Sequence, residues 1–295
     1  MKLGKTMGNP TPSRHGKASG FFEIARIPNC IMMGLAVIVG EFMSLGTAVP
    51  TYSVVVGFLV GFFLVAGSMA INDILDTEID RINNPARPIP SSRISTNEAA
   101  AFASITLAAG LSLAFALSVV NLVIAILAVS LMLYYNRFGK KTGLPGNAAV
   151  SANLAIPFIF GGAVGGISSI LYVFALIAFL AGMGREVIKG MADILGDSKR
   201  GVRTLAVSMG LDVASRTGAL FFVMAVLLST IPIVFRMVSW LYVPIVLACD
   251  LGFLYSTCSI VKDPSPKNAL RSKNQALVWM LLGLIAFIAG GFSVG

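Results

Sequence analysis

The chain has 295 residues, of which 56% are hydrophobic and 12% charged, with 22 Lys and Arg against 13 Asp and Glu and a formal net charge of +9. Soluble domains run near a quarter charged, so this composition excludes a disordered chain, a disulfide scaffold and an ordinary cytosolic enzyme, and it points to a polytopic membrane protein. Residues 1–20 are polar, basic and rich in Gly, Pro and Ser, with no apolar run near Met1. They are expected to form a flexible cytosolic tail, not a cleaved signal peptide, with residues 21–295 as a single membrane domain.

Nine apolar stretches follow, at 22–45, 51–74, 96–118, 121–137, 147–166, 169–190, 211–235, 239–261 and 275–293. The fourth is short and shares a tight Val120-Asn121 turn with the third, so eight spans is the alternative count. Positive charge then sets orientation. The tail and first helix start, and the segments after spans two, four, six and eight, hold 21 of the 22 cations; only Arg236 falls on the other side. Such asymmetry places the N-terminus and the even-numbered exits in the cytoplasm of a cell-membrane protein, with the C-terminus outside. Because topology accounts for the cations, the surplus is no sign of a nucleic-acid partner.

Cysteine and histidine remove several chemistries. Cys30, Cys249 and Cys258 lie in apolar context without a CxxC pair, and His15 is the only histidine. A Ser-His-Asp triad, an HExxH site and a multi-His metal site are therefore absent, and any metal must be held by oxygen.

The scarce acids concentrate at two places. Span two ends in Asn72-Asp73-Ile74-Leu75-Asp76-Thr77-Glu78-Ile79-Asp80, and span six ends in Lys189-Gly190-Met191-Ala192-Asp193-Ile194-Leu195-Gly196-Asp197. On a continuous helix these spacings make oxygen-rich stripes. Like charges at i, i+4 repel, and a helix C-terminus disfavours anions, so a compensating cation is expected. An oxygen-only donor set suits a hard ion such as Mg²⁺, which keeps waters and bridges carboxylates to substrate phosphates. Arg81, Arg87, Lys140, Lys141, Lys189, Lys199, Arg200 and Arg203 lie near and are placed to meet phosphate oxygens. The repeated Asp-Ile-Leu, at Asp73 and again at Asp193, indicates two tandem four-helix halves plus a ninth helix.

At these residues the chain resembles the UbiA-type intramembrane prenyltransferases. The resemblance rests on NDxxDxxxD from Asn72 to Asp80, on Asn84-Pro85-x-Arg87-Pro88-Ile89-Pro90, and on Lys189-x3-Asp193-x3-Asp197. Tyr135-x4-Lys140, Gly146-Asn147-x2-Val150 and Arg26-Ile27-Pro28-Asn29 add to it, and together these cover spans one to seven. It implies an all-α integral membrane fold of nine helices around a central cavity. By it, Asn72, Asp73, Asp76, Asp80, Asp193 and Asp197 organise Mg²⁺ about an isoprenyl diphosphate, with Asp76, Asp193 and Lys189 catalytic. Arg87, Lys140, Lys141 and Arg203 carry diphosphate charge, and Asn29, Tyr135, Arg185 and Asn147 contact substrate.

Two positions depart from the family pattern: Arg185 stands where many members have Tyr, and Gly190 where Asp is frequent. The Arg185-Glu186-x2-Lys189 variant is similar to archaeal members that transfer a geranylgeranyl group from its diphosphate to geranylgeranylglyceryl phosphate, a phospholipid precursor. A quinone-precursor or tetrapyrrole acceptor is the enzymatic alternative. An ion-coupled transporter, with Asp250 and Glu41 marking its path, is the alternative of another class. Donor chain length and oligomeric state stay open at this level.

Overall fold

The computed structural model describes residues 16–199 and 201–291. Most of the tail, with Lys2, Lys5, Arg14 and His15, lies outside the described residues, as do Arg200 and the last four positions. Within them the chain is helical. Helices α1 (Lys17–Ala25), α2 (Ile27–Leu45), α3 (Thr51–Leu75), α4 (Thr77–Asn83), α5 (Thr96–Leu117), α6 (Val119–Arg137) and α7 (Leu144–Gly162) come first. There follow α8 (Ser169–Ala192), α9 (Ile194–Lys199), α10 (Leu205–Met209), α11 (Leu211–Ser229), α12 (Ile231–Val234), α13 (Tyr242–Lys262) and α14 (Pro266–Gly291). Among the described residues nine helical segments are long and apolar enough to cross a membrane: α2, α3, α5, α6, α7, α8, α11 with α12, α13 and α14. Helices are the solution because hydrocarbon offers no partner for a free N–H or C=O. Exposed Phe115, Leu127, Tyr172, Leu227, Leu251 and Val278 give the ring an apolar exterior.

Consecutive spans pack in order around a ring: α2 on α3, α3 on α5, α5 on α6, α6 on α7, α7 on α8, α8 on α11, α11 on α13 and α13 on α14. The order in α2-α3-α5-α6 repeats in α7-α8-α11-α13, and α14 closes the ring against α8 and α2. Several boundaries differ from the hydropathy pattern. The third and fourth spans part at Ser118 (φ −169°, ψ 164°), whose side chain caps α6 at the Asn121 N–H; the turn is there and not at Val120-Asn121. Asn121 is buried and donates to the Phe160 carbonyl (2.7 Å), which a helix position can satisfy and a turn tip could not. The ninth helix starts at Pro266, nine residues before its apolar stretch, because Lys267, Arg271 and Lys273 continue it beyond the hydrocarbon.

The first span is split. Helix α1 begins at Lys17, so residues 17–20 are helical and not tail, and it ends at Ala25; Arg26 sits in the left-handed region (φ 53°, ψ 60°) before α2 starts at Ile27 with Pro28 in its first turn. Pro28 has no N–H to offer the Ile24 carbonyl, so the α1 ladder stops there, and Pro is accepted in the first turn of a new helix. Lys17–Glu98 and Arg93–Glu23 pairs, each 2.7 Å, strap α1 to the segment entering α5. Ion pairs near the surface are screened by solvent and hold α1 only weakly; Phe21 against Phe102, ring centres 5.4 Å apart, gives α1 an apolar seat.

Glycine sets the closest approach. A Cβ on Gly40 would lie 2.5 Å from the Phe158 carbonyl oxygen, and one on Gly161 would lie 2.9 Å from the Gly40 Cα, so α2 and α7 touch backbone to backbone. Small residues allow that contact where no hydrophobic force drives helices together in lipid. Gly161→Leu is expected to cost more than the about 1–3 kcal/mol typical of overpacking, seen as a clear fall in thermal midpoint in detergent. Gly196→Ala, in open space, is expected to leave the midpoint unchanged or raise it slightly.

Candidate active site

Both acidic clusters lie at bends. Helix α3 passes into α4 at Asp76 (φ −90°, ψ 1°), and α8 passes into α9 at Asp193 (φ −97°, ψ 6°). This is the sparsely populated bridge region, frequent among active-site residues. Backbone bonds run across each joint: Asp76 N–H to Asn72 O (3.0 Å), Asp80 N–H to Asp76 O (2.8 Å), Asp193 N–H to Lys189 O and Asp197 N–H to Asp193 O (both 3.0 Å). The chain therefore bends without unravelling and presents a carboxylate at the joint. The straight stripes expected from spacing are broken there, and the repeat register changes with them. Asp76 corresponds to Asp193, 117 residues apart (193 minus 76), whereas matching the two Asp-Ile-Leu tripeptides pairs Asp73 with Asp193.

Asp73 lies one turn inside α3 and points elsewhere. Its side chain is 8% exposed, with Arg26 Nη2 at 2.7 Å and Arg87 Nη1 at 3.4 Å. It does not line the central cavity, so the expected metal-ligand role for Asp73 gives way to a buried ion pair. Arg87 is shared, with Asp80 Oδ2 at 2.6 Å. The left-handed Arg26 backbone costs about 1–2 kcal/mol, and the Asp73 pair together with a contact to Met69 Sδ (3.2 Å) fixes it in place. Asp76 accepts from Asn72 Nδ2 (3.1 Å) and from Lys140 Nζ (2.7 Å), the latter on the short 3-10 turn Gly139–Lys141 between α6 and α7. Burial pushes the Lys140 ammonium below the usual lysine range, against the pull of Asp76. Its charged form is therefore held at a cost that an added anion would lower.

The second cluster is organised by Glu186. Its carboxylate is buried and accepts from Arg185 Nη1 (2.8 Å) and Lys189 Nζ (2.9 Å). Arg185 Nε has no partner among the described residues. Asp193 is half exposed, and Lys273 Nζ of α14 approaches it at 3.9 Å. Neither Glu186 nor Lys273 is given a role by motif and spacing. Glu186 carries a usable signal, as the only acid flanked by cations at i−1 and i+3. Lys273 lies 80 residues from Asp193 in a polar stretch and carries none.

One cavity of about 1180 Å³ joins the two clusters. Asn29, Asn72, Asp76, Asp80, Arg87, Tyr135, Lys140, Lys141, Asn147, Arg185, Lys189, Asp193 and Asp197 all line it. Arg203 does not; it is exposed at the rim, where its N–H meets the Lys141 carbonyl (3.4 Å) and ties the two cation-bearing loops together. The diphosphate contact expected of Arg203 thus falls to a residue at the rim and not to one on the cavity wall. Away from the clusters the wall is apolar, with Leu64, Val129, Met132, Leu154, Ala181 and Val226 among its residues. Among the described residues no three acids stand close enough to form a complete metal cage. The carboxylates instead come from two joints facing one space, Asp76 and Asp80 from one and Asp193 and Asp197 from the other, a donor set that fits a hard cation completed by water and by substrate oxygens. Asp250 lines the cavity, whereas Glu41 is fully buried outside it, behind Gly57 and Val37. The two therefore mark no common path.

Known proteins are similar to this chain in sequence and in fold. The pattern described as the UbiA prenyltransferase family matches residues 33–285. The digeranylgeranylglyceryl phosphate synthase of Methanopyrus kandleri is 35% identical over 91% of this chain and 98% of its own length. That of Methanocaldococcus jannaschii is 31% identical over 94% of this chain and 98% of its own. A solved structure of a digeranylgeranylglyceryl phosphate synthase in membranes is similar at 32% identity with a TM-score of 0.77, covering 94% of this chain and 99% of that one. A UbiA homologue from Archaeoglobus fulgidus bound to GPP and Mg²⁺ shares the fold at 18% identity with a TM-score of 0.70, covering 92% and 100%. With the family pattern running from the first membrane helix into the ninth, across the paired aspartate joints and the apolar cavity beneath them, the chain belongs to the UbiA prenyltransferase family.

Proposed function

We propose that this protein transfers a geranylgeranyl group from its diphosphate to the free hydroxyl of geranylgeranylglyceryl phosphate, forming the second ether bond of an archaeal membrane lipid. The observation that carries this reading is the pair of joint aspartates, Asp76 and Asp193, at the mouth of one cavity that continues as an apolar tunnel. The synthases that match over nearly their whole length support the acceptor. The cation-rich end is assigned to the cytoplasm of the cell membrane by the positive-inside rule, and the C-terminus to the outside.

Asn72, Asp76, Asp193 and Asp197 would hold Mg²⁺, with Asp80 beside them. Bound there, Mg²⁺ supplies Lewis acidity and positive charge for the departing diphosphate. Lys140 and Lys189, each fixed by a carboxylate, present ammonium groups to the same oxygens without first having to be ordered. Lys141 lies at the mouth, and Arg87 holds Asp80 in position. The acceptor oxygen forms a bond to C1 of the allylic chain as the C1–O bond breaks. The electron pair leaves with diphosphate, and the hydroxyl proton goes to solvent or to diphosphate. Tyr135, Asn29 and Asn147 line the space between, and the apolar wall keeps water from the reacting carbon. Arg185, which lines the cavity one turn deeper than Lys189, takes the acceptor phosphate.

Purified protein with geranylgeranyl diphosphate, Mg²⁺ and the glyceryl phosphate acceptor is expected to give the diether, and EDTA to stop the reaction until Mg²⁺ is restored. Asp76→Ala and Asp193→Ala should each lower kcat by at least about 10²-fold; turnover that survives either change, or survives EDTA, overturns the metal assignment. Asp73→Asn behaves differently. It leaves Arg26 and Arg87, each one-third exposed, short of a partner, so it is expected to lower stability by roughly 1–3 kcal/mol with a smaller effect on kcat than Asp76→Ala. Arg185→Leu should raise KM for the acceptor about tenfold or more while leaving KM for the donor near its starting value.

A further inference from the structure

Lys273 of α14 belongs to no motif, yet it stands at the second joint. Its Nζ lies 3.9 Å from Asp193 Oδ1, beyond hydrogen-bond reach. By contrast, Lys140 meets Asp76 at 2.7 Å and Lys189 meets Glu186 at 2.9 Å. The Lys273 side chain is only 18% exposed, and a lysine so covered is ordinarily paired. Asp193 itself is half exposed, and no cation comes closer to it among the described residues.

The register of α14 explains why this lysine turns inward. Leu277, Met280, Leu284 and Phe287 line the central cavity. They stand four, seven, eleven and fourteen residues beyond Lys273, the spacing of one helix face. Lys273 therefore ends that stripe on the charged side. Ala269, Ser272 and Ala276 beside it are fully buried, where α14 packs against α8, while Lys267 and Arg271 are exposed. Of the three cations on α14, packing aims one at the joint.

We propose that Lys273 is the counter-charge of Asp193 in the free site and an anion contact in the loaded one, and that it thereby couples Mg²⁺ binding to diphosphate binding. This role rests on the metal and prenyl-transfer reading above. In the free protein the ammonium partly neutralises Asp193 and competes with a metal for it. Once Asp193 serves a metal, two positive charges share one carboxylate and repel, unless an anion comes between them. The donor diphosphate is that anion. Lys273, a compact charge on a flexible stem with no hydrogen bond to Asp193 to give up, is free to turn to it. Lys140 and Lys189 each already donate to a carboxylate. Metal alone is thus bound weakly, and metal and donor together bind more tightly than either alone, a coupling equal in both directions. Lys273 makes and breaks no bond at C1.

Two measurements on detergent-solubilised protein test this role: the Mg²⁺ dissociation constant by calorimetry without donor, and KM for geranylgeranyl diphosphate at saturating Mg²⁺ and acceptor. Lys273→Met keeps the packing of the stem and removes the charge. It is expected to tighten donor-free Mg²⁺ binding about fivefold, roughly the effect of one charge near 4 Å in water. It should also raise donor KM about fivefold, with acceptor KM unchanged. Lys273→Arg should keep both values within about twofold of wild type, because the charge remains. Unchanged or weaker Mg²⁺ binding in folded, monodisperse Lys273→Met protein overturns the proposal, as does an unchanged donor KM. Changes of equal size in Lys273→Arg and Lys273→Met mark a packing role and overturn it too. Wild-type turnover that is absent, or that survives EDTA, overturns the underlying transfer or metal reading, a failure that the donor-free Mg²⁺ titration tells apart from the failure of Lys273.

Discussion

Charge that must live at the edge of hydrocarbon needs a partner, and this requirement shapes the whole reactive end of the molecule. An isolated ion buried there is costly, whereas a hydrogen-bonded pair is tolerated. Asp73 is held by Arg26 and Arg87, Asp76 by Lys140, and Glu186 by Arg185 and Lys189. These pairs join α2 to α3, and the α6–α7 turn to the end of α3. They convert flexible long side chains into fixed charges facing one cavity. In the proposed function stability and catalysis draw on the same contacts, because an ammonium already fixed beside a carboxylate would lose little freedom when a phosphate arrives.

The two clusters divide the work unequally. In the first, Asp73, Asp76 and Asp80 face Arg26, Arg87 and Lys140, so charge is balanced within the cluster. In the second, the buried Glu186 serves two cations at once, and Asp193 stays half exposed with Lys273 only at 3.9 Å. That asymmetry leaves Asp193 the more open of the two joint carboxylates. The joints themselves are alike, and it is the bend at Asp76 and at Asp193 that turns each carboxylate from a position along a helix into one at a helix end.

The ring around the cavity is closed by small residues as much as by large ones. Backbone contact at Gly40–Gly161 and near contact at Gly184–Gly218 draw neighbouring spans close. Larger side chains then fill the opposite end, where Phe174, Tyr242 and Phe287 form a solid block. The result is one cavity, charged where the two clusters meet and apolar along the rest of its wall.

Nine spans, the concentration of cations at alternate exits and two oxygen-rich helix ends are legible in the amino-acid sequence, because hydrophobic length and charge asymmetry are local properties of a chain. Thirteen of the fifteen residues singled out from motifs meet at one cavity. Direction is what local pattern leaves hidden. Asp73 and Asp76 sit three residues apart in one motif, yet one turns toward Arg26 and the other toward the cavity, and only the bend at Asp76 separates them. The repeated Asp-Ile-Leu sets the wrong register for the same reason. Lys273 and Asp250 come from helices brought alongside by packing, with no sequence signal linking them to the motifs. The sequence by itself determined which residues the membrane would expel to its edge; the tertiary structure decided which of them face one another, since pairing depends on bends and crossings that no single segment contains.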